Sequence, residues 1–143
     1  MRKLPERLEE IIEDFNYCEG QEKLEYLLEF AESLPPLPNW LQGRQAEMDQ
    51  VHECITPIFI YPEKKGDGFF FHFDIPQESP TVRGFGAVLQ QAFDGATLAQ
   101  LQAVPNEFYL KMGLQSVLSG QRLNGISAML AHMKRLAADL SIQ

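Results

Sequence analysis

Cysteine is scarce in this chain: 143 residues hold only two, Cys18 and Cys54, beside a single tryptophan. A small secreted fold stapled by disulfides needs more than that, and the opening Met1-Arg2-Lys3-Leu4-Pro5-Glu6 turns acidic without an apolar leader. Both features point to free thiols in a reducing, cytoplasmic compartment. No CxxC pair occurs, and His72 and His132 have no ligand spacing relative to Cys54, which argues against structural zinc. No apolar run is long enough to span a bilayer. There is no Lys/Arg cluster, and the net charge is −8. The chain is therefore a poor candidate for binding nucleic acid, whose backbone demands cationic contacts, and no nucleic-acid partner is expected. A phosphate-cradling glycine loop is missing too, since Arg83-Gly84-Phe85-Gly86 falls inside a helical pattern with no strand before it. No internal repeat or low-complexity segment is present.

What is there suits a globular chain. Apolar residues make up 45% of the sequence, and its length can bury a core without staples, so one domain spanning residues 1–143 is the economical expectation. The acids are crowded toward the start: residues 1–50 carry twelve, against five basic side chains. They either solvate two N-terminal helices or meet a protein with a basic docking face.

Hydrophobic spacing assigns the elements. Pro5 suits a first helical position, and Leu8, Ile11, Ile12 and Phe15 share one face of a helix running to about Asn16. A second helix spans Gln21 to Ser33, with Leu24, Leu27, Leu28 and Ala31 inward. It stops at Leu34-Pro35-Pro36-Leu37-Pro38, which cannot continue a helix. Trp40 and Leu41 then anchor the connector to the core. Three strands are predicted: Met48–His52, Ile58–Tyr61 and Phe69–Phe73, the last two joined by the turn-rich stretch Pro62 to Gly68. Ser79-Pro80 opens a helix to about Phe93, and Thr97 caps a short one from Leu98 to Leu101. Short helical pieces follow at Pro105–Met112 and Gln115–Leu118. Ser119 caps a long final helix to about Asp139, with Ile126, Met129, Leu130, Met133, Leu136 and Ala137 as its apolar face. The fold class is α+β: two N-terminal helices, a small three-stranded antiparallel sheet, then several C-terminal helices.

Cys54 is the leading candidate for chemistry. In Val51-His52-Glu53-Cys54-Ile55-Thr56 a polar stretch gives way to the apolar run Ile58-Phe59-Ile60-Tyr61, which sets the thiol at a loop tip or strand end. A thiolate there can attack another sulfur, ligate a metal or open a carbonyl. His52, two residues earlier, would share its face on an extended strand and so suggests a Cys–His hydrolase. No orienting acid or oxyanion donor marks such a site. Cys18 reads as a buried apolar filler rather than a resolving thiol.

Several segments, taken in order, carry a family resemblance. They are Cys18-Glu19-Gly20-Gln21-Glu22-Lys23-Leu24 through Phe30, the connector Leu34-Pro35-Pro36-Leu37 and the stretch Val51 to Ile60. Glu78-Ser79-Pro80-Thr81-Val82-Arg83-Gly84-Phe85 follows, and then Leu114 to Leu118 with Ser119-Gly120-Gln121-Arg122-Leu123-Asn124-Gly125-Ile126. In this order the chain resembles the SufE family of sulfur-acceptor proteins, over nearly its whole length. The family usually places glycine before its acceptor cysteine and a small polar pair after it; this chain has Glu53, Ile55 and Thr56.

The resemblance implies a SufE/NifU-like fold and a sulfur carrier. Cys54 would take persulfide sulfur from a SufS-like cysteine desulfurase, stimulate that enzyme, and pass the sulfur to a SufBCD-like iron–sulfur scaffold complex. It also implies supporting roles for Arg122, Arg83 and Glu78. A guanidinium near Cys54 favours a thiolate or grips a partner carboxylate, and an acid can tether the cysteine loop. The plain alternatives are a surface arginine paired with an acid, and an acid drawn to a helix N-terminus. No cofactor is implied, because pyridoxal phosphate belongs to the desulfurase. A cluster scaffold would need three cysteines in one site. The carrier is expected to be a monomer or weak homodimer and to touch no membrane. A paralogous acceptor feeding tRNA modification, and an acidic interaction module in which Cys54 is incidental, are the competing readings.

Overall fold

The structure is a computed structural model that describes residues 4–142; Met1 to Lys3, where the export-signal reading begins, and Gln143 lie outside the described residues. Helix α1 (Glu6–Tyr17) buries Leu8, Ile11 and Phe15, the stripe predicted by their spacing. Helix α2 (Gln21–Ser33) is rotated from expectation, with Lys23, Leu27, Phe30 and Ala31 inward while Leu24 and Leu28 are only half-buried. The rotation brings Phe30 and Tyr26 against Phe15, with ring centroids 6.0 and 4.7 Å from it. It also places the Lys23 ammonium where it donates to the Phe15 carbonyl at 2.7 Å and the Met112 carbonyl at 3.1 Å. A buried cation held by two carbonyls at otherwise open helix ends is satisfied rather than stranded.

The sheet is antiparallel in the order β1-β2-β3, with β1 at Asp49–Gln50, β2 at Phe59–Lys65 and β3 at Gly68–Asp74. Pairing from Phe59 opposite Asp74 to Lys65 opposite Gly68 leaves only Gly66-Asp67 as the turn. Pro62 through Lys65 therefore belong to a strand, not to the connection their turn-forming character suggested. They are tolerated because β1 reaches only Phe59 and Ile60, so beyond Tyr61 the strand has a neighbour on one side alone. An edge can carry proline and lysine without breaking a ladder. Phe69, Phe71 and Phe73 alternate inward along β3. Trp40 does not enter the core. It is 47% exposed and lies edge-on to Tyr61 and His72 on the outer face of the sheet, while Leu41 is the buried anchor.

Helix α3 (Pro80–Ala92) lies along α2 at close range, since a Cβ on Gly84 would stand 2.2 Å from the Leu27 carbonyl oxygen. Only a bare backbone allows that approach. Thr97 and Gln100 form a reciprocal capping box that starts α4 (Leu98–Ala103). Two 3-10 turns, Phe108–Met112 and Leu114–Ser116, lead to α5 (Gly120–Ser141). The inner faces of helices and sheet join in one buried cluster around Phe15, Phe69, Phe85, Phe93 and Phe108. Each such burial contributes roughly 1.5–3 kcal/mol. Among the described residues no helix is long and apolar enough to cross a membrane. The architecture is α+β, with the segment between β1 and β2 emerging beside the N-termini of α3 and α5.

Candidate functional site: the Cys54 cavity

The cysteine segment is a loop with a fixed neck. Val51 and Ile58 are fully buried, and the Val51 N–H donates to the Ile58 carbonyl at 2.9 Å, closing residues 52–57 into a bulge outside the core. Strand β1 ends at Gln50, two residues short of the expected strand end, because the chain turns out of the sheet at His52. His52 and Cys54 consequently share no strand face, and His52 is exposed. Ile55, at the tip, is 80% exposed. Cys54 is half-buried, and its sulfur rests on the bare backbone of α5. A Cβ on Gly125 would stand 2.8 Å from Sγ and 3.2 Å from Cβ of Cys54.

The seated thiol opens into a cavity of about 340 Å³ lined by Cys54, Ile55, Thr56, the stretch Glu78–Val82, Ser119, Gln121 and Arg122. Two helix N-termini thus border one space: Pro80 to Val82 begin α3, and Gln121 and Arg122 begin α5. The first N–H groups of a helix lack intrahelical acceptors and carry partial positive charge, so such a space favours an anion. Ser119 caps α5 by accepting from the Arg122 N–H at 3.3 Å. Ser79 occupies the corresponding position on α3 but does not cap it; its hydroxyl lies 3.3 Å from that of Thr56 on the cysteine loop. Among the described residues neither the Arg122 guanidinium nor the Glu78 carboxylate has an ion-pair partner.

A second set of contacts holds the loop from below. The His132 ring on α5 faces Asp49 Oδ2 through Nδ1 and Glu53 Oε1, at 2.9 Å, through Nε2. Arg135 donates to Asp49 Oδ1 at 2.8 Å. Burial pushes the Asp49 carboxyl up, but hydrogen bonds from His132 and Arg135 outweigh it and hold the group below the ordinary carboxylate range. The His132 hydrogen bond likewise lowers Glu53.

Of the residues singled out in the sequence, the fold brings Cys54, Glu78 and Arg122 to one cavity and leaves Arg83 out of it. Successive residues of a helix point about 100° apart, so Arg83 faces away from the side that Val82 presents. Its guanidinium donates to the Ile75 carbonyl at 2.6 Å and borders a separate groove of about 1120 Å³ that also carries Glu25, Glu29 and Glu32. Cys18 is not a core filler. It sits half-buried at the end of α1, with Sγ 3.6 Å from the Asp14 carbonyl oxygen. The sequence reading missed His132 and Asp49 as supports of the loop. The one available signal was Glu53, a carboxylate where the related pattern has glycine.

Fold and cavity define a small α+β protein that presents one thiol between two helix N-termini. The chain matches the SufE family, described as an Fe-S metabolism associated domain, over residues 9–137, and it belongs to that family. It is 42% identical over 133 residues to an uncharacterized SufE-like protein of Mycobacterium tuberculosis, covering 92% of each chain. It is 31% identical over 110 residues to the sulfur acceptor protein CsdE of Escherichia coli, covering 76% of this chain and 72% of that one. The solution structure of a hypothetical protein from Thermus thermophilus superposes with a TM-score of 0.85 at 29% identity, covering 99% of this chain and all of that one.

Proposed function

We propose that the protein is a sulfur acceptor that takes sulfane sulfur from a cysteine desulfurase onto Cys54. The observation that carries this reading is the position of Cys54 in a cavity bordered by two helix N-termini and by Arg122, which has no ion-pair partner among the described residues. The Cys54 thiolate attacks the terminal sulfur of the enzyme's cysteine persulfide. A new sulfur–sulfur bond forms at Cys54, the old one breaks, and the enzyme's thiolate leaves with the electron pair. No electrons are gained or lost overall, so neither oxidant nor cofactor is required. The pyridoxal phosphate that makes the persulfide belongs to the desulfurase.

The product is an anion when ionised, and the helix ends and Arg122 suit its negative charge. Removing product sulfur frees the desulfurase for its next turnover, which makes the acceptor a stimulator. An iron–sulfur scaffold of the SufBCD type is the proposed next recipient. Glu78 is assigned to orienting the loop or the partner beside the cavity. Arg83 is assigned to bracing α3 on the sheet through Ile75. The test is desulfurase turnover on free cysteine with and without this protein. Wild type raises turnover, whereas Cys54→Ser binds the enzyme but leaves turnover at its basal rate. Equal stimulation by Cys54→Ser would refute the assignment and favour a binding module.

A further inference from the structure

Cys54 is seated on Gly125, so whatever holds its loop there sets how freely the thiol is presented. Among the described residues one side-chain bond joins the loop to α5: the contact between Glu53 Oε1 and His132 Nε2. The neck bond between Val51 and Ile58 fixes the base of the loop, because both residues are fully buried. We infer that His132 and Glu53 form a proton-dependent latch, in which the imidazolium keeps Cys54 seated and loss of its proton releases the loop. The inference rests on the reading of Cys54 as the sulfur-accepting thiol.

The chemistry follows from what faces the ring. His132 meets a carboxylate at each nitrogen, Asp49 from β1 and Glu53 from the loop, and Arg135 of its own helix approaches Nδ1 at 3.2 Å. His52 is the other titratable side chain acting on Glu53. An ionised carboxylate only accepts hydrogen bonds, so both contacts are satisfied together only by a ring that carries hydrogen on both nitrogens. A neutral imidazole has one hydrogen. The Asp49 contact is the closer of the two, and a hydrogen on Nδ1 is the arrangement that keeps it, with Arg135 then donating to Asp49 rather than to the ring. Nε2 is then bare and faces a carboxylate lone pair, so the loop loses its tie to α5 and, among the described residues, keeps only the Thr56–Ser79 side-chain bond at 3.3 Å, while β1 keeps its own. Glu53 and His132 are positioning residues, since neither touches the sulfur. Glycine at position 53 would leave no latch, and that gives the departure from the family pattern a physical consequence.

The test uses the protein alone. Alkylation of Cys54 by iodoacetamide is followed by peptide mass, and rates are expressed per thiolate. Glu53→Ala and His132→Gln should each raise the rate about two- to fivefold, as expected for loss of one exposed ionic hydrogen bond. The double variant should match either single one, because both break the same contact. Glu53→Gln retains an acceptor oxygen and should fall between wild type and Glu53→Ala. Once pH is high enough to take the proton from His132, the wild-type rate should climb toward that of His132→Gln. Simple electrostatics predicts opposite signs for the two single variants, since one removes a negative and the other a positive charge near the thiol. Opposite signs, additive effects or a rate ratio flat with pH would overturn the latch. With no desulfurase present, failure of sulfur acceptance leaves this result untouched. Variants with a freed loop that still take up no sulfur would instead count against the proposed function.

Discussion

The chain offers its own control in the contrast between Cys18 and Cys54. Both thiols are free, half-buried and close to a helix end. Cys18 lies at the C-terminus of α1, where carbonyl oxygens converge, and is surrounded by Glu22, Asp14 and Glu29. Burial first and the Glu22 carboxylate next push its thiol up, with Lys23 opposing, which disfavours the reactive thiolate. Cys54 lines a cavity that is also bordered by two helix N-termini and Arg122, and it sits above a glycine that leaves room for its sulfur. The lesson is that burial among carboxylates at a helix C-terminus holds one thiol back, while two helix N-termini favour the anion of the other.

The comparison can be strained at three points. Arg122→Ala removes a guanidinium that lines the cavity and should slow sulfur acceptance about tenfold, with partial recovery in Arg122→Lys; single-turnover transfer from a persulfidated desulfurase measures it. No change in that rate would leave the helix ends alone as the distinguishing feature of Cys54. Gly125→Ala introduces a Cβ where the sulfur now rests. Crowding of about 1 kcal/mol should unseat the loop and raise Cys54 alkylation about fivefold, while helix propensity favours the folded state by roughly 0.5–1 kcal/mol. A thermal melt beside the alkylation rate separates those two effects. The smallest effect is expected at Cys18. Glu22→Gln keeps an oxygen to accept from the Glu19 N–H but removes the charge. Because that charge raises the thiol, its loss moves thiolate formation to lower pH and should speed Cys18 alkylation about twofold near neutrality. An unchanged Cys18 titration would show that burial alone accounts for its inertness.

Much of this contrast was legible in the sequence, for identifiable reasons. The stripe Leu8, Ile11, Phe15 and the run Ile126, Met129, Leu130, Met133 follow the helical repeat, so α1 and α5 emerge directly. Cys54 stands out because the polarity of the chain changes beside it. Pro62 to Lys65 misled because local turn propensity outweighed the edge position that makes those residues acceptable in a strand. Trp40 misled because a large aromatic can cover the outer face of a sheet as well as fill a core. The rotation of α2 depends on Gly84 and Phe15, neither of which it contains. The His132–Glu53 contact joins residues far apart in sequence, and nothing in local pattern encodes a pair that only the packing of α5 beneath the loop creates.

The account turns on which of two sulfurs gains an atom. Wild-type protein, a cysteine desulfurase and free cysteine are incubated together, and peptides are mapped by mass before and after reduction. One added, reductant-labile sulfur on the peptide bearing Cys54, with none on that bearing Cys18, is the predicted result. Sulfur on Cys18, or on neither peptide while the desulfurase turns over, would contradict it.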